Sequence, residues 1–395
     1  MQRHVLSILV FLLLVCHGLY SSEMAIDVRS REQRVVTVSL DGSGDFTSVE
    51  SAVEYLKATA PAEYEKVVKV RSGRYPVTSS IVLSDFFVIE GEGNATLVRA
   101  GTMKVMVTNE KGVAMKKNEL RNRQIVIRRL TFDGNQIQYP QDWRVSVWLL
   151  NIDGVLIEDC LFVNSKRSGL GITWGVNAQV RRCAFRDNYI PLYVDRSDSI
   201  VVEECSLEDN GVTAESGVEV FFSNSVTIAS CQILRSKGRG INADSVKNST
   251  FEGNVIGLNG RSGILLWSND CVDDQHPEGG QATSGNKIKA NRIFNNGQSE
   301  PLRYSGIDIS HNPNSSSFTM RNLIEGNEIF DDRGVQKKTQ HYGVRISYAE
   351  DDYNIIRNNR IWGNVQGAIY NRAPSTLIVG NTFDPPPASF TTTVT

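Results

Sequence analysis

Ser216-Gly217-Val218-Glu219-Val220-Phe221 opens a stretch that closes with Cys231-Gln232-Ile233. The next stretch opens with Arg239-Gly240-Ile241-Asn242-Ala243-Asp244 and closes with Asn254-Val255-Ile256. Each runs from a Gly through alternating apolar residues to a polar turn, then a second short apolar strand. Each ends on Cys or Asn, one variable residue, and an aliphatic or aromatic side chain.

The same phrase spreads in both directions. Its closing element appears as Cys160-Leu161-Phe162, Cys183-Ala184-Phe185 and Cys205-Ser206-Leu207, and later as Asn291-Arg292-Ile293, Asn327-Glu328-Ile329, Asn359-Arg360-Ile361 and Asn381-Thr382-Phe383. Its opening element keeps step as Ser168-Gly169-Leu170, Ser262-Gly263-Ile264, Ser305-Gly306-Ile307 and Tyr342-Gly343-Val344. Short strands of period two cannot bury a face alone. Stacked as coils, they bury one continuous core and pair in parallel with their neighbours. One Asn per coil at a fixed corner can build a hydrogen-bonded ladder up the stack. The pattern therefore predicts an all-β parallel β-helix.

Cys160, Cys183, Cys205 and Cys231 fill the slot that Asn takes in later coils. They are expected to point inward as one unbridged column, because parallel Cβ vectors on neighbouring rungs disfavour a disulfide. Cys271 stands alone in an insertion.

The N-terminal part differs. Val35 to Val38 reads as a strand and Asp41-Gly42-Ser43-Gly44-Asp45 as a turn. Thr47 and Glu50 form a capping-box pattern ahead of Val49, Ala52, Val53 and Leu56 at helical spacing. A short helix here would plug the open end of the stack. Earlier still, Arg3 and His4 precede an apolar run from Val5 to Val15, which reads as an export signal over residues 1–22. The β-helix is expected over 34–384 as one domain, and the Pro- and Thr-rich residues 385–395 as a tail without fixed structure. Asn94, Asn248 and Asn314 open glycosylation sequons.

Composition excludes some partners. With 42 basic and 44 acidic residues among 395, the chain has no general electrostatic affinity for nucleic acid or anionic lipid. No stretch after the signal is apolar enough to predict a membrane span. A secreted location, extracellular or periplasmic, is the expectation.

The segment from Val38 to Ala52, with Asp41-Gly42-Ser43-Gly44-Asp45-Phe46, resembles the start of pectin methylesterases and other pectin-lyase-like right-handed parallel β-helix proteins. So does Val70-Arg71-Ser72-Gly73-Arg74-Tyr75. The resemblance implies a right-handed coil and polysaccharide chemistry. The Gln-Asp pairs of the methylesterases, the paired Asp and Gly-His-Gly of polygalacturonases and the Asp-Pro-His of mannuronan epimerases are not found in this chain.

Alternation assigns the outward positions on the Gly-led strand. One column reads Trp148, Gly171, Tyr193, Glu219, Asn242, Leu265, Asp308, Arg345; the second reads Leu150, Thr173, Asp195, Phe221, Asp244, Trp267, Ser310, Ser347. Trp148, Tyr193, Phe221 and Trp267 beside Asp195 and Glu219 suit sugar rings, whose faces stack and whose hydroxyls bond to carboxylates. Tyr348 joins this substrate-binding set. Insertions flank the strand, and His276, His311 and His341 lie in or beside them.

Two mechanisms compete. In a lyase or epimerase acting on an acidic polysaccharide, His311 or Tyr348 would remove a proton, Arg345 would neutralise the acid group and Asp308 would orient, with Asp244 beside them. In a hydrolase, Glu219 and Asp244 would flank the glycosidic bond. The catalytic set is thus Asp244, Asp308, His311 and Arg345, with the lyase favoured. A polysaccharide-binding surface module without chemistry is the third reading. No cofactor is expected, apart from Ca2+ at Asp270, Asp273, Asp274 and Glu278, whose oxygens suit that ion.

Overall fold

The computed structural model describes residues 31–140, 144–211, 215–270 and 280–383. The segments read as export signal and tail lie outside the described residues. The described residues from 32 onward form one compact unit, which carries all the regular elements described below.

The chain winds through three parallel sheets in turn. The first has thirteen strands, from Gln33–Val38 to Leu377–Val379; the second runs over eleven, from Gly73–Val77 to Arg360–Trp362. The third, also of eleven, runs from Ile81–Leu83 to Gly367–Asn371 and contains every Gly-led strand. Each strand pairs with its counterpart one coil away, as Ile241–Asp244 does with Ile264–Ser268. The molecule is a right-handed parallel β-helix, the hand that parallel crossovers almost always take.

Inward positions form the core. Phe132, Phe162 and Phe185 stack from coil to coil with centroids 5.1 and 4.8 Å apart. The leading Gly is required by this packing. A Cβ on Gly343 would lie 2.2 Å from Ile361 Cγ2, and one on Gly240 would lie 2.5 Å from the Gly263 carbonyl oxygen.

Each corner carries a polar ladder. Between the first and second sheets, Asn254, Asn291, Asn327, Asn359 and Asn381 are stacked. Asn291 Oδ1 accepts from both the backbone N–H and the side-chain amide of Asn254, at 2.9 and 3.0 Å. The residue before each rung adopts a left-handed backbone, with Gly253 at φ 65° and Asn358 at φ 56°. The Cys column continues this ladder downward. All four thiols are buried and free, each donating to the carbonyl two residues back, as Cys160 Sγ does to Glu158 at 3.3 Å. Sequence reasoning expected one such ladder. Two more exist: Asn188, Asn210, Asn259 and Asn296 between the second and third sheets, and Asn286, Asn322 and Asn354 between the third and first.

The expected helix is α1, Val49–Thr59, which buries Val49, Ala52, Val53 and Leu56 completely. It packs on the first strands of the stack. Its N-cap is Ser48, which accepts from the Ser51 N–H, and not the expected Thr47. Glu50 leaves the capping box to accept from the Thr78 N–H at 2.9 Å, tying the cap to a coil.

Replacing Asn291 by Ala should strand the backbone N–H of Asn254 and destabilise the fold by about 1–3 kcal/mol. Urea unfolding checks this; an unchanged midpoint would show that the ladder is ornament.

Candidate functional site

The third sheet presents its outer surface as a trough. Insertions rise along both of its edges: residues 110–121 and 312–322 lead toward the first sheet, and residues 295–306 and 331–341 come in from the second. The two outward columns have the expected register. Trp148 pairs with Gly171, Gly171 with Tyr193, Tyr193 with Glu219 and Glu219 with Asn242; Asp195 pairs with Phe221, Phe221 with Asp244 and Asp244 with Trp267. Their inward neighbours Leu192, Val194, Val218, Val220, Ile241 and Ala243 are fully buried in the core.

Three carboxylates therefore share one face on consecutive coils. Burial raises the pKa of each. Asp195 is pushed up to about 6 by burial, even though its Oδ2 is ion-paired with Arg196. Asp244 is pushed up to about 7 by burial, opposed by the Ser245 hydroxyl and by Arg239. Burial also raises Glu219, against the Ser216 N–H and Arg167 and Arg239. Asp195 is 3% exposed and its Oδ1 has no hydrogen-bond partner. Tyr193, beside it, is raised as well, by the same loss of solvent.

A cleft of about 410 Å³ opens at this point, lined by Trp148, Arg167, Trp174, Tyr193, Asp195 and Arg196 among others. Trp148 lies flat across the next rung because that rung is Gly171, where a Cβ would come within 2.7 Å of the indole. Its Nε1 donates to Thr173 Oγ1 at 3.0 Å. Tyr193 and Phe221 meet at 5.6 Å between centroids.

Sequence reasoning missed Arg167, Trp174, Arg196 and Arg239. None of the four lies in the two columns that alternation assigns. Trp174, Arg196 and Phe222 are the first residues after the Gly-led strand, all with left-handed φ of 47–52°. The same left-handed φ recurs at turns along the whole stack, at Phe86, Arg182, Leu258 and Tyr353 among others, so it belongs to the coil and does not mark a site. Here the Arg196 guanidinium sits 5.8 Å from the Trp174 ring and 5.6 Å from the Phe222 ring.

The upper half of the face corrects several expectations. Asp308 and Arg345 are paired across adjacent rungs as expected, with Arg345 Nε 2.7 Å from Asp308 Oδ1. However, Asp308 is only 2% exposed and also accepts from the Ser262 hydroxyl and the Ser305 N–H. His311 is not an accessible base. It is 5% exposed, its Nδ1 is 2.9 Å from Asp351 Oδ1, and its ring packs on Phe318 and Tyr348. Tyr348 is engaged in that packing and stands away from the aromatic columns. The alternation at the end of this strand puts His311 opposite Ser268, a fully buried corner residue.

Asp270 takes the N–H and hydroxyl of Ser316 on its Oδ2, both at 2.6 Å. Asp273, Asp274, Glu278, Cys271 and His276 lie outside the described residues. Among the described residues no group of three or more His, Cys, Asp or Glu is arranged to hold a metal.

Known proteins agree on the architecture. Residues 111–274 match the family model for a right-handed β-helix region. No curated protein matches the chain in sequence. Among solved structures, the mannuronan C-5 epimerase AlgE6 A-module of Azotobacter vinelandii is similar at TM-score 0.58 and 15% identity, over 86% of this chain and 95% of that one. PfbA, a surface adhesin of Streptococcus pneumoniae, reaches 0.61 at 13% identity, over 85% and 86%. A DFA-IIIase from Arthrobacter chlorophenolicus A6, solved without its lid in complex with GF2, reaches 0.60 at 9% identity, over 90% and 99%. These likenesses establish the fold alone: the chain is a right-handed parallel β-helix.

A carboxyl whose folded pKa lies above its ordinary value of 3.8 is comfortable only when protonated. Stability from a neutral Asp244 is complete below about pH 4 and is lost as pH rises through about 7. Asp244→Asn should therefore stabilise the protein by about 1–3 kcal/mol near pH 8 and do nothing near pH 4. Denaturant titrations at the two pH values test this, and equal effects at both would refute the buried-acid assignment.

Proposed function

We propose that this protein is an exported carbohydrate-active β-helix that hydrolyses a glycosidic bond with the carboxyl groups of the third-sheet trough. One observation carries the reading: Asp195, Glu219 and Asp244 stand on consecutive rungs of one outward face among aromatic rings, Asp195 buried in the wall of an open cleft and the other two half-buried beyond it. Neighbouring rungs are ~4.8 Å apart and alternate residues ~6.8 Å apart, so the Glu219 and Asp244 backbones are separated by about 8 Å. Inversion of configuration needs ~6.5–9.5 Å between the carboxyl groups themselves, with a water between base and sugar, a distance that side chains rising from this backbone spacing can reach.

Asp244, with its pKa near 7, is the general acid. It protonates the leaving glycosidic oxygen as the bond to the anomeric carbon breaks. Glu219 takes a proton from the attacking water, whose oxygen forms the new bond to that carbon. The sugar leaves with a hydroxyl on each side of the cut. Asp195 Oδ1, buried and unpartnered, accepts from a sugar hydroxyl, and Trp148 and Tyr193 stack against ring faces. The lyase or epimerase reading draws less support, since His311 faces Asp351 and Arg345 is engaged by Asp308. Export is read from residues 1–22. Among the described residues no helix is long and apolar enough to cross a membrane.

A panel of polygalacturonate, alginate and neutral glucans tests the reaction. New reducing ends without the ultraviolet absorbance of an unsaturated sugar support hydrolysis. Unsaturated product supports elimination, and binding without product supports a surface module of the kind PfbA is named for. For a substrate so found, Asp244→Asn and Glu219→Gln should each lower kcat by about 10²-fold or more. The rate should fall as pH rises past about 7, where Asp244 loses its proton.

A further inference from the structure

The slot immediately before the leading Gly is occupied by Ser in most Gly-led coils: Ser168, Ser216, Ser262 and Ser305. All four Ser are buried, and Ser262 reaches the carboxylate of Asp308 from this slot. Tyr342 breaks the series near the far end of the stack. Its ring lies 5.2 Å from Tyr370, tilted by 31°. Tyr370 is the next member of the first outward column, paired in register with Arg345, and is 39% exposed.

Polar groups frame the pair. The His341 ring meets Tyr342 at 4.4 Å between centroids, tilted by 50°, and its buried Nδ1 has no hydrogen-bond partner. The Arg345 side chain is about a quarter exposed, and its guanidinium donates to Asp308 and to the Arg303 carbonyl. An exposed phenol ring backed by a second one, beside a partly exposed Arg side chain, offers a sugar a face to stack on and a donor for its hydroxyls.

We propose that Tyr342 and Tyr370 form a distal sugar subsite that holds the far end of the same polysaccharide whose bond is cut at Glu219 and Asp244; this rests on the hydrolase reading. Continuity identifies the occupant. The Tyr370 position belongs to the same hydrogen-bonded column as Glu219, through Asn242, Leu265, Asp308 and Arg345. It lies four rungs beyond the coil of Asp244, about 19 Å along the axis. Only a chain long enough to span that distance can use both places. The protein would thus prefer long chains to short oligosaccharides, although the reacting groups contact only a few sugar units.

The test is KM against chain length, for the full chain and for the Tyr342→Ala/Tyr370→Ala double variant. With chains spanning more than about 19 Å, the double variant should raise KM about tenfold, the size of one lost stacking contact, with kcat unchanged. Oligosaccharides too short to span should show equal kinetics in both proteins. Tyr370→Phe, which keeps the ring, should restore most of the long-chain advantage. An unchanged KM on long chains overturns the subsite, as does an equal loss on short and long substrates. Should the wild type cleave nothing, the hydrolase reading falls by itself. Affinity electrophoresis in polygalacturonate, alginate and dextran gels then still decides the subsite: retardation of the wild type that the double variant loses supports it, and equal mobility of the two sinks it.

Discussion

The hydrogen-bond register between successive coils governs the rest of this molecule. Every strand pairs with its counterpart one turn away, and Asn ladders at the corners repeat that pairing with side chains. Side chains alternate with period two, so a slip of one residue would turn every core Ile and Val outward and every carboxylate inward. The ladders make such a slip prohibitive, because each step would orphan buried amides. The leading Gly has a related role: only a residue without Cβ lets the third sheet close on the inward Ile of the second.

That register also sets the chemistry of the outer face. Groups on the trough floor can be separated only by whole rungs and alternate residues. Glu219 and Asp244 inherit their spacing from the backbone, and burial then raises the pKa of both. The result is a set of carboxylates with raised pKa on a rigid scaffold, an arrangement suited to proton transfer and unfavourable to stability. The same face shows the opposite outcome at Asp308. There Arg345, Ser262 and Ser305 satisfy the carboxylate, and the group becomes part of the wall.

The repeat was legible because it is written many times. Gly-led strands and Cys-or-Asn closures recur at nearly constant spacing, so alternation placed Trp148, Tyr193, Asp195, Glu219, Phe221, Asp244, Trp267, Asp308 and Arg345 on one outward face, in the register that the structure has. What lay at the corners was harder to read. His311 terminates a strand, where alternation gives no direction, and only the packing of Phe318 and Tyr348 and the approach of Asp351 decide that it is enclosed. Arg167, Trp174 and Arg196 come from turns, whose course depends on the coils above and below.

The coil, the direction each strand residue faces and the column of thiols could all be read from the chain alone, because they arise from local periodicity multiplied along it. Which outward groups are wet, paired or enclosed was settled only by the folded coils and their insertions. Asp195, Asp308 and Asp244 are the same residue type on the same kind of strand. One is ion-paired yet keeps an unpartnered oxygen in a cleft, one is neutralised by an Arg from the next coil, and one is desolvated beside a single Ser. Asp195 and Asp244 take their partners from the next residue in the chain, Arg196 and Ser245, whereas Asp308 takes Arg345 and Ser262 from 37 and 46 residues away. Solvent access and electrostatics depend on everything within a few ångströms, whereas strand periodicity records only the nearest neighbours in sequence.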